Sequence, residues 1–278
     1  MFDLSSRSAK IVFFAALAVI GFFLFFPLYW LVISSLKANA ELYQVVPTPF
    51  PTVPSLEHFI RALTTGKLPM YLMNSLITST CSAALVTLLA LYAGFSFAKY
   101  RYIGRQPVML FMLSAQMFPF GLLLISIYPL MSELNLLDTR PGLILSYIVF
   151  ALPVSTYMLY SYFSQVPDEL IDAARADGAS DLRIFHTIVI PISIPPIVTV
   201  FLYSFMWSWN DLLYSMTLIV SEDKRTIGPG LLLTYLNEVN SDWGGAMAAS
   251  LIASAPIVAA FMFLQRYFIQ GVTAGAVK

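Results

Sequence analysis

Uncharged apolar intervals, separated by short polar connections, fill most of this chain. Each interval is long enough for a helix of about 20 residues, the length that crosses the hydrocarbon core of a bilayer. The apolar residues run continuously instead of alternating, so the pattern favours helices over strands. The sequence therefore predicts an all-α integral membrane protein, with residues 1–278 as a single domain. The six predicted transmembrane helices are 11–36, 71–98, 106–131, 141–164, 187–218 and 244–266.

Composition agrees with this prediction and excludes several functional classes. Charged residues are 11% of the 278-residue chain, less than half of the roughly 25% typical of soluble domains. The formal net charge is zero, so no overall field favours nucleic acid. A lone cysteine, Cys81, cannot form an intrachain disulfide. His58 and His186 are isolated in the sequence, and no spacing of metal ligands is present, so no metal site is predicted.

Lysine and arginine are distributed unequally between the connections, and this sets the predicted orientation. With the N-terminus inside, nine of the 15 basic residues fall in inner segments: Arg7, Lys10, Lys99, Arg101, Arg105, Arg175, Arg183, Arg266 and Lys278. The others fall in outer segments: Lys37, Arg61, Lys67, Arg140, Lys224 and Arg225. Because inner loops carry the excess of positive charge, both termini are predicted to be cytoplasmic in a multi-pass protein.

A polar segment, residues 167–186, interrupts the apolar pattern between the fourth and fifth spans. Leu170, Ile171 and Ala174 still form an apolar stripe at helical spacing. Pro167 suits the start of that helix, because a backbone N–H at this position would have no partner within the helix and proline therefore loses no hydrogen bond. The first half of the segment is therefore predicted to be a short amphipathic helix.

A glycine turn is predicted to divide this segment. Gly178 is a natural end for the first helix because glycine tolerates positive φ, and Ser180 or Asp181 is suited to cap a second short helix. Two interpretations follow: a solvated loop between spans, or a surface that docks against a partner. A plain loop does not need an apolar stripe on each half, so docking is preferred.

The same segment carries a recognisable motif. Asp172-Ala173-Ala174, Gly178 and Ile188-x-Ile190-Pro191 have the spacing of the "EAA" loop of bacterial ABC-importer permeases, with Asp in place of Glu and Ile in place of Leu. The chain thus resembles that family, which implies the ABC type I importer permease fold with a cytoplasmic coupling helix between spans four and five. The resemblance also implies contacts with an ATP-binding subunit, made by Asp172, Ala173, Ala174, Asp177, Gly178 and Ala179.

The outer end of the fifth span combines indole rings with an amide and a carboxylate. Trp209, Asn210 and Asp211 resemble a tripeptide of sugar-type permeases. One interpretation is an aromatic belt with helix packing. The other is a substrate pathway, because a carboxylate near the membrane is costly unless it faces a cavity or partner. Clustered prolines at 191, 195 and 196 predict a distorted start to this span.

Two further stretches resemble maltose-type "G" permeases. The outer loop 221–243 matches a loop that reaches into the docked binding protein in that group, and a surface hairpin is the alternative. The tail, 267–278, is glycine-rich and matches a C-terminus that inserts between two ATP-binding subunits. The resemblance implies contacts there by Gly271, Gly275 and Lys278.

The predicted function is that of a transmembrane permease subunit of an ATP-driven, binding-protein-dependent importer of di- or oligosaccharides. The chain has no phosphate-binding loop of the GxxxxGK[ST] type, so it is predicted to be non-catalytic and to bind no cofactor. ATP and Mg are expected in partner subunits. The predicted partners are a second homologous permease, two copies of an ATP-binding subunit, an extracytoplasmic sugar-binding protein and membrane lipid, in a bacterial or archaeal plasma (inner) membrane.

Two alternatives stay open at this point. One is an ABC permease for a peptide, an amino acid or phosphate. The other is a transporter or channel that works alone, which would require charged groups within the spans to form an ion or proton path. Asp211 is the single acidic candidate for such a path.

Overall fold

The computed structural model describes the backbone of residues 7–237 and 241–276, with side chains from 9 to 237 and from 241 to 263. These residues form two compact units, one drawn from Met1–Pro69 with Leu231–Ser254 and the other from Met70–Gly230 with Ala255–Lys278. In the described parts the regular structure is helical, with one isolated bridge between Leu236 and Ser241. The all-α prediction is therefore confirmed.

The structure has fourteen α-helices in its described residues. They are α1 (Arg7–Ser35), α2 (Asn39–Leu42), α3 (Glu57–Thr64), α4 (Leu68–Lys99), α5 (Arg105–Ser114), α6 (Phe120–Glu133), α7 (Arg140–Phe163), α8 (Asp168–Ala176), α9 (Asp181–Ile184), α10 (Ile190–Ile192), α11 (Ile194–Trp209), α12 (Leu213–Leu218), α13 (Ile227–Tyr235) and α14 (Trp243–Ala276). Short 3₁₀ turns occupy Ala115–Met117 and Glu222–Lys224, and a π-helical turn occupies Phe185–Val189.

Within the described residues, four continuous helices are long and apolar enough to cross a membrane: Ala9–Ser35, Leu68–Lys99, Arg140–Phe163 and Trp243–Phe263. They correspond to the first, second, fourth and sixth predicted spans. The third and fifth intervals also pass this test, but each is a bent pair of helices. The number of spans reaches six when each bent pair is counted as one.

The third predicted span is divided into two helices in the structure. Its two halves, Arg105–Met117 and Phe120–Glu133, are bent by 104°. Phe118 lies between them in an extended conformation, with ψ of 135°. The residue before a proline is disfavoured in the α conformation, and Pro119 follows directly, so the break lies where the local sterics favour it.

A second break, at Ser193, confirms the predicted distortion of the fifth span. Residues Asp181–Ile192 and Ile194–Trp209 are bent by 80°. Pro196 has no N–H to donate to the carbonyl of Ile192 four residues earlier. The hydroxyl of Tyr162 on α7 donates to that carbonyl instead, at 2.9 Å. A side chain from a neighbouring helix thus satisfies the backbone group that the break leaves free.

The first unit is held together by a polar network. His58 is buried, and its Nε2 lies 2.9 Å from the carbonyl oxygen of Lys37. Arg61 contacts the other ring nitrogen of His58 and pairs with Asp242. Asp242 also caps α14 by accepting from the N–H of Gly245 at 3.0 Å. His58 is therefore part of the packing of this unit.

In the second unit, α7 packs against α11 and joins two apolar clusters. Ser155 and Ser204 meet between these helices, with hydroxyl oxygens 3.2 Å apart. Near the carboxyl end of α7, the first cluster includes Phe95, Leu159, Phe163, Ile171, Ile184 and Phe185. Near its amino end, the second includes Met131, Leu143, Tyr147, Phe150, Tyr214 and Leu218. The two candidate sites described next adjoin these clusters.

Candidate functional site

Residues 167–186, termed the coupling segment below, form two short helices joined by a glycine turn, as predicted. Gly178 has φ of +82°, a conformation that favours glycine. Ser180, one of the two predicted caps, accepts a hydrogen bond from the N–H of Arg183 at 3.4 Å. The acidic side chains of Asp168 and Glu169 lie in the first turn of α8, where the helix dipole favours negative charge.

The coupling segment has one face turned towards the protein and one turned away. Ile171 is only 3% exposed and Ile184 is fully buried, both within the first apolar cluster. The predicted stripe is split, because its neighbour Leu170 is 41% exposed and Leu182 on α9 is 64% exposed. An outward surface that keeps large apolar side chains exposed is a feature of docking sites.

The six motif residues divide between these faces. Ala174 and Ala179 are partly buried and pack against the first apolar cluster. The outward face has the four exposed residues Asp172, Ala173, Asp177 and Gly178. Ala173 has a small side chain and Gly178 has none, so few atoms project from this face and a partner surface can approach the backbone closely.

Residues at the end of α4 make polar contacts with both helices of the coupling segment. The Nζ atom of Lys99 donates to Asp168 at 2.6 Å and to the carbonyl of Val166 at 2.5 Å. The hydroxyl of Tyr100 donates to Asp181 at 3.0 Å. The hydrogen bond from Lys99 and its positive charge lower the pKa of Asp168 below the usual range.

Arg175 connects the two short helices across the glycine turn. Its Nε atom donates to Asp181 at 2.9 Å and its Nη1 atom to Asp172 at 3.2 Å. The hydrogen bonds from Arg175 and then Tyr100 lower the pKa of Asp181. Since these groups are largely exposed, the network contributes little to global stability. Its effect is to fix the angle between α8 and α9.

A cavity of about 710 Å³ lies beside the second apolar cluster. Its walls come from the start of α6, one face of α11 and the turn that follows α11. The lining residues are Phe120, Tyr203, Met206, Trp207, Asn210, Asp211, Leu212 and Leu213. Such a wall combines aromatic rings with a few polar groups, which is typical of sites for small organic ligands.

The structure separates Trp209 from the other two residues of the Trp-Asn-Asp motif. Asn210 lines the cavity and is exposed. Trp209 does not line it: this side chain is 5% exposed and stacks on Phe205 at a centroid distance of 5.4 Å. The indole at the cavity wall belongs to Trp207, which stacks on Phe150 at 5.3 Å.

Asp211 caps a helix at the edge of this cavity. Its carboxylate accepts hydrogen bonds from the N–H groups of Tyr214 and Ser215, at 3.2 and 2.8 Å. It also accepts one from the hydroxyl of Tyr147, at 2.9 Å. The carboxylate is thus satisfied by the protein, and its contribution is to fix the turn that leads from α11 into α12.

Sequence reasoning missed Trp207 although the signal was present. Tyr203, Trp207 and Asn210 follow each other at i, i+4 and i+7, which places them on one helical face. Trp209 is two residues from Trp207, about 200° around the helix. Lys99 was interpreted only as a positive anchor in an inner loop, because its partners lie 67 and 69 residues away in the sequence.

The outer loop 221–243 is tied to the helices next to it. Asn74 on α4 donates to the carbonyls of Asp223 and Arg225, at 2.8 and 2.9 Å. Asp138 accepts from Ser221 and from Lys224. Partial burial acts to raise the pKa of Asp138, but the hydrogen bonds from Ser221, Lys224 and Val220 outweigh it and hold that pKa well below its usual range.

The backbone of the predicted tail continues α14 as far as Ala276. The backbone at Gly271 and Gly275 therefore lies in a helix. Lys278 lies outside the described residues, as do 238–240 of the outer loop.

Comparisons with known proteins agree with these features. A family model described as binding-protein-dependent transport system inner membrane component matches residues 86–274. The diacetylchitobiose uptake system permease protein DasC of Streptomyces coelicolor is 32% identical, over 92% of each chain. The arabinooligosaccharides transport system permease protein AraQ of Halalkalibacterium halodurans is 33% identical, over 94% of each chain.

A solved structure supports the same fold. It belongs to a bacterial ABC transporter that imports the acidic polysaccharide alginate, and it superimposes with a TM-score of 0.83 at 22% identity. The match covers 95% of this chain and 99% of the other. The family match extends over well more than half of the chain, and both relatives cover nearly all of it. The chain belongs to the binding-protein-dependent transport system inner membrane components, the permease subunits of ABC importers.

Proposed function

We propose that this chain is the transmembrane permease subunit of an ATP-driven importer of di- or oligosaccharides. Relatives named for the uptake of diacetylchitobiose and of arabinooligosaccharides, at 32% and 33% identity, support this substrate class. The observation that carries the proposal is the coupling segment. Its inward face is buried in the first apolar cluster, whereas its outward face exposes Ala173, Gly178 and Leu182.

The outward face docks in a groove of an ATP-binding subunit. Ala173 and Gly178 permit close approach, and Leu170 and Leu182 supply apolar contact area. Asp172 and Asp177 add charge at the rim of this contact. The chain itself is non-catalytic, and ATP with Mg is bound by the partner.

The assembly contains two ATP-binding subunits, a second homologous permease and an extracytoplasmic binding protein. This chain supplies half of the pathway, and six spans result when each bent pair crosses the membrane once. Both termini are cytoplasmic, in a plasma (inner) membrane. The end of the chain, including Gly271, Gly275 and Lys278, contacts the ATP-binding subunits.

The cavity beside α11 is the part of the pathway that this chain provides. Trp207 offers an aromatic ring, the kind of surface on which the apolar face of a sugar ring packs. Asn210 donates to the carbonyl of Met206 at 2.8 Å, and within the described residues its Oδ1 atom has no hydrogen-bond partner. That oxygen is therefore available to accept from a sugar hydroxyl.

Co-purification tests the docking proposal. The tagged chain is co-expressed with the ATP-binding subunit and second permease of its own system, and Ala173→Arg is compared with Ile103→Arg. Ile103 is fully exposed in the loop between α4 and α5, so it is a matched control on the same predicted side of the membrane. We expect Ala173→Arg to abolish recovery of the ATP-binding subunit and Ile103→Arg to preserve it. Equal recovery with both variants would refute the docking.

A further inference from the structure

The loop between α2 and α3 exposes apolar side chains to an unusual degree. Residues 43–56, termed the apolar loop below, have no charged side chain. Val45 is 99% exposed, Val46 75% and Val53 72%, and Phe50 is also largely exposed. Water is a poor environment for such a surface, because each buried apolar side chain is worth roughly 1.5–3 kcal/mol. The loop therefore needs an apolar partner.

Polar residues next to the loop fix this exposed arrangement. The Nζ atom of Lys37 donates to the carbonyl of Thr48 at 2.5 Å. Glu41 accepts from the hydroxyl of Thr48 and, at 3.1 Å, from the N–H of Thr52. The hydrogen bond from Thr48 lowers the pKa of Glu41 below its usual value. Polar atoms of the loop are thus bonded towards the protein, and its valines point away from it.

Contacts with α1 set the depth of the loop in the membrane. The hydroxyl of Tyr29 donates to the carbonyl of Pro49, and the rings of Tyr29 and Phe50 meet edge to face at 6.2 Å. Tyr29 follows Ile11, the first apolar residue after Lys10, by 18 positions. At 1.5 Å per residue this is about 27 Å, close to the roughly 30 Å of a hydrocarbon core. Phe50 therefore lies beside a point of α1 that is about one hydrocarbon-core thickness from Ile11.

We propose that the apolar loop lies in the membrane interface at the carboxyl end of α1, with lipid as its partner. Val45, Val46, Phe50 and Val53 insert at the boundary between headgroups and acyl chains. The prolines at 47, 49, 51 and 54 favour this location, because each removes an N–H donor that would be costly to leave unpaired there. Tyr29 and Trp30 beside the loop are residue types enriched at this depth.

Spin-label accessibility in the complete transporter tests this inference. The transporter is reconstituted in liposomes with Cys81→Ser in this chain, and one cysteine is introduced at Val46 or Phe50. Thr65→Cys, at an exposed polar position after α3, is the control. Collisions with oxygen, which is enriched in lipid, and with a water-soluble nickel complex are measured with and without the binding protein. Variants that retain ATPase activity are compared.

We expect the ratio of oxygen to nickel collisions at Val46 and Phe50 to exceed that at Thr65, because interfacial segments bury their apolar side chains at the boundary between headgroups and acyl chains. The binding protein should not change that ratio. Free access of nickel would place the loop in water. Protection from both reagents would mean that a second protein chain covers it, and protection only with binding protein would identify a docking surface. Each of these three results would overturn the inference, and none depends on which solute is transported.

Discussion

Lys99 and Asp168 form an ion pair with an N–O distance of 2.6 Å, joining the last residue of α4 to the first residue of α8. The side chain of Lys99 is only 7% exposed, whereas that of Asp168 is 78% exposed. The side chain of Lys99 is therefore packed within the protein, and its ammonium group fixes the exposed carboxylate of Asp168. This pair ties the coupling segment to α4, one of the helices long and apolar enough to cross a membrane.

Replacing Lys99 should weaken the coupling of ATP hydrolysis to sugar uptake, while the complex still assembles. Lys99→Met keeps the length of the buried stem but removes the charge that holds Asp168 and the carbonyl of Val166. We expect sugar uptake per ATP hydrolysed to fall by roughly threefold to tenfold, the effect of losing about 1 kcal/mol of positioning interaction. Arg101→Met, at an exposed neighbour, is the control. If sugar uptake per ATP hydrolysed is the same in the two variants, Lys99 has no role in coupling.

Two glycines with positive φ provide a matched pair for testing the turn. Gly178 has φ of +82° and Gly104 of +92°, and in both a Cβ would meet no atom within 4 Å. Valine at either position should therefore cost a similar backbone strain, about 1–2 kcal/mol. Only Gly178→Val should uncouple ATP hydrolysis from uptake, because only Gly178 lies in the coupling segment. Normal coupling in Gly178→Val, or the same loss in Gly104→Val, would contradict this.

The cavity predicts different roles for two neighbouring indoles. Trp207→Leu and Asn210→Leu should each reduce sugar uptake by at least about tenfold, the loss of one good contact, with normal assembly, and Asn210→Leu should leave the thermal stability unchanged. Trp209→Leu should instead lower the midpoint of thermal unfolding, because Trp209 is buried against Phe205. Sugar uptake and thermal unfolding curves of the three variants test these roles. Normal uptake in both cavity variants would exclude this wall from the pathway.

Asp138 should stabilise the protein in a manner that depends on pH. It adopts φ of +53°, which asparagine also tolerates, so Asp138→Asn removes the charge without adding strain. Because the pKa of Asp138 is lowered by folding, its contribution is complete above the unfolded pKa of about 3.9. That contribution is lost as the pH falls through the folded pKa.

We therefore expect Asp138→Asn to be less stable than wild type at pH 7, by roughly 1 kcal/mol after allowance for solvent screening. The difference should narrow below about pH 4. Thermal unfolding in detergent at several pH values measures this. A constant difference at all pH values would mean that the charge of Asp138 is not what holds Ser221 and Lys224.

Much of the fold follows from local sequence, and the exceptions have physical reasons. Apolar length located the long helices, and Gly178 and Ser180 marked the glycine turn and its cap. The size of the bend at Phe118 does not follow from the sequence, because a proline inside an apolar interval does not say whether the helix kinks or breaks. Motif resemblance drew attention to Trp209, whereas helical periodicity would have selected Trp207. The pairing of Lys99 with Asp168 depends on tertiary packing, which no local pattern encodes.

The most direct test of the central claim is ATP-dependent sugar uptake by proteoliposomes that contain the reconstituted complex. Uptake is measured with each component omitted in turn: ATP on the side of the coupling segment, the ATP-binding subunit, the second permease and the binding protein. We expect every omission to abolish uptake, and Ala173→Arg in this chain to do the same. Sustained uptake by this chain without the ATP-binding subunit would contradict the account.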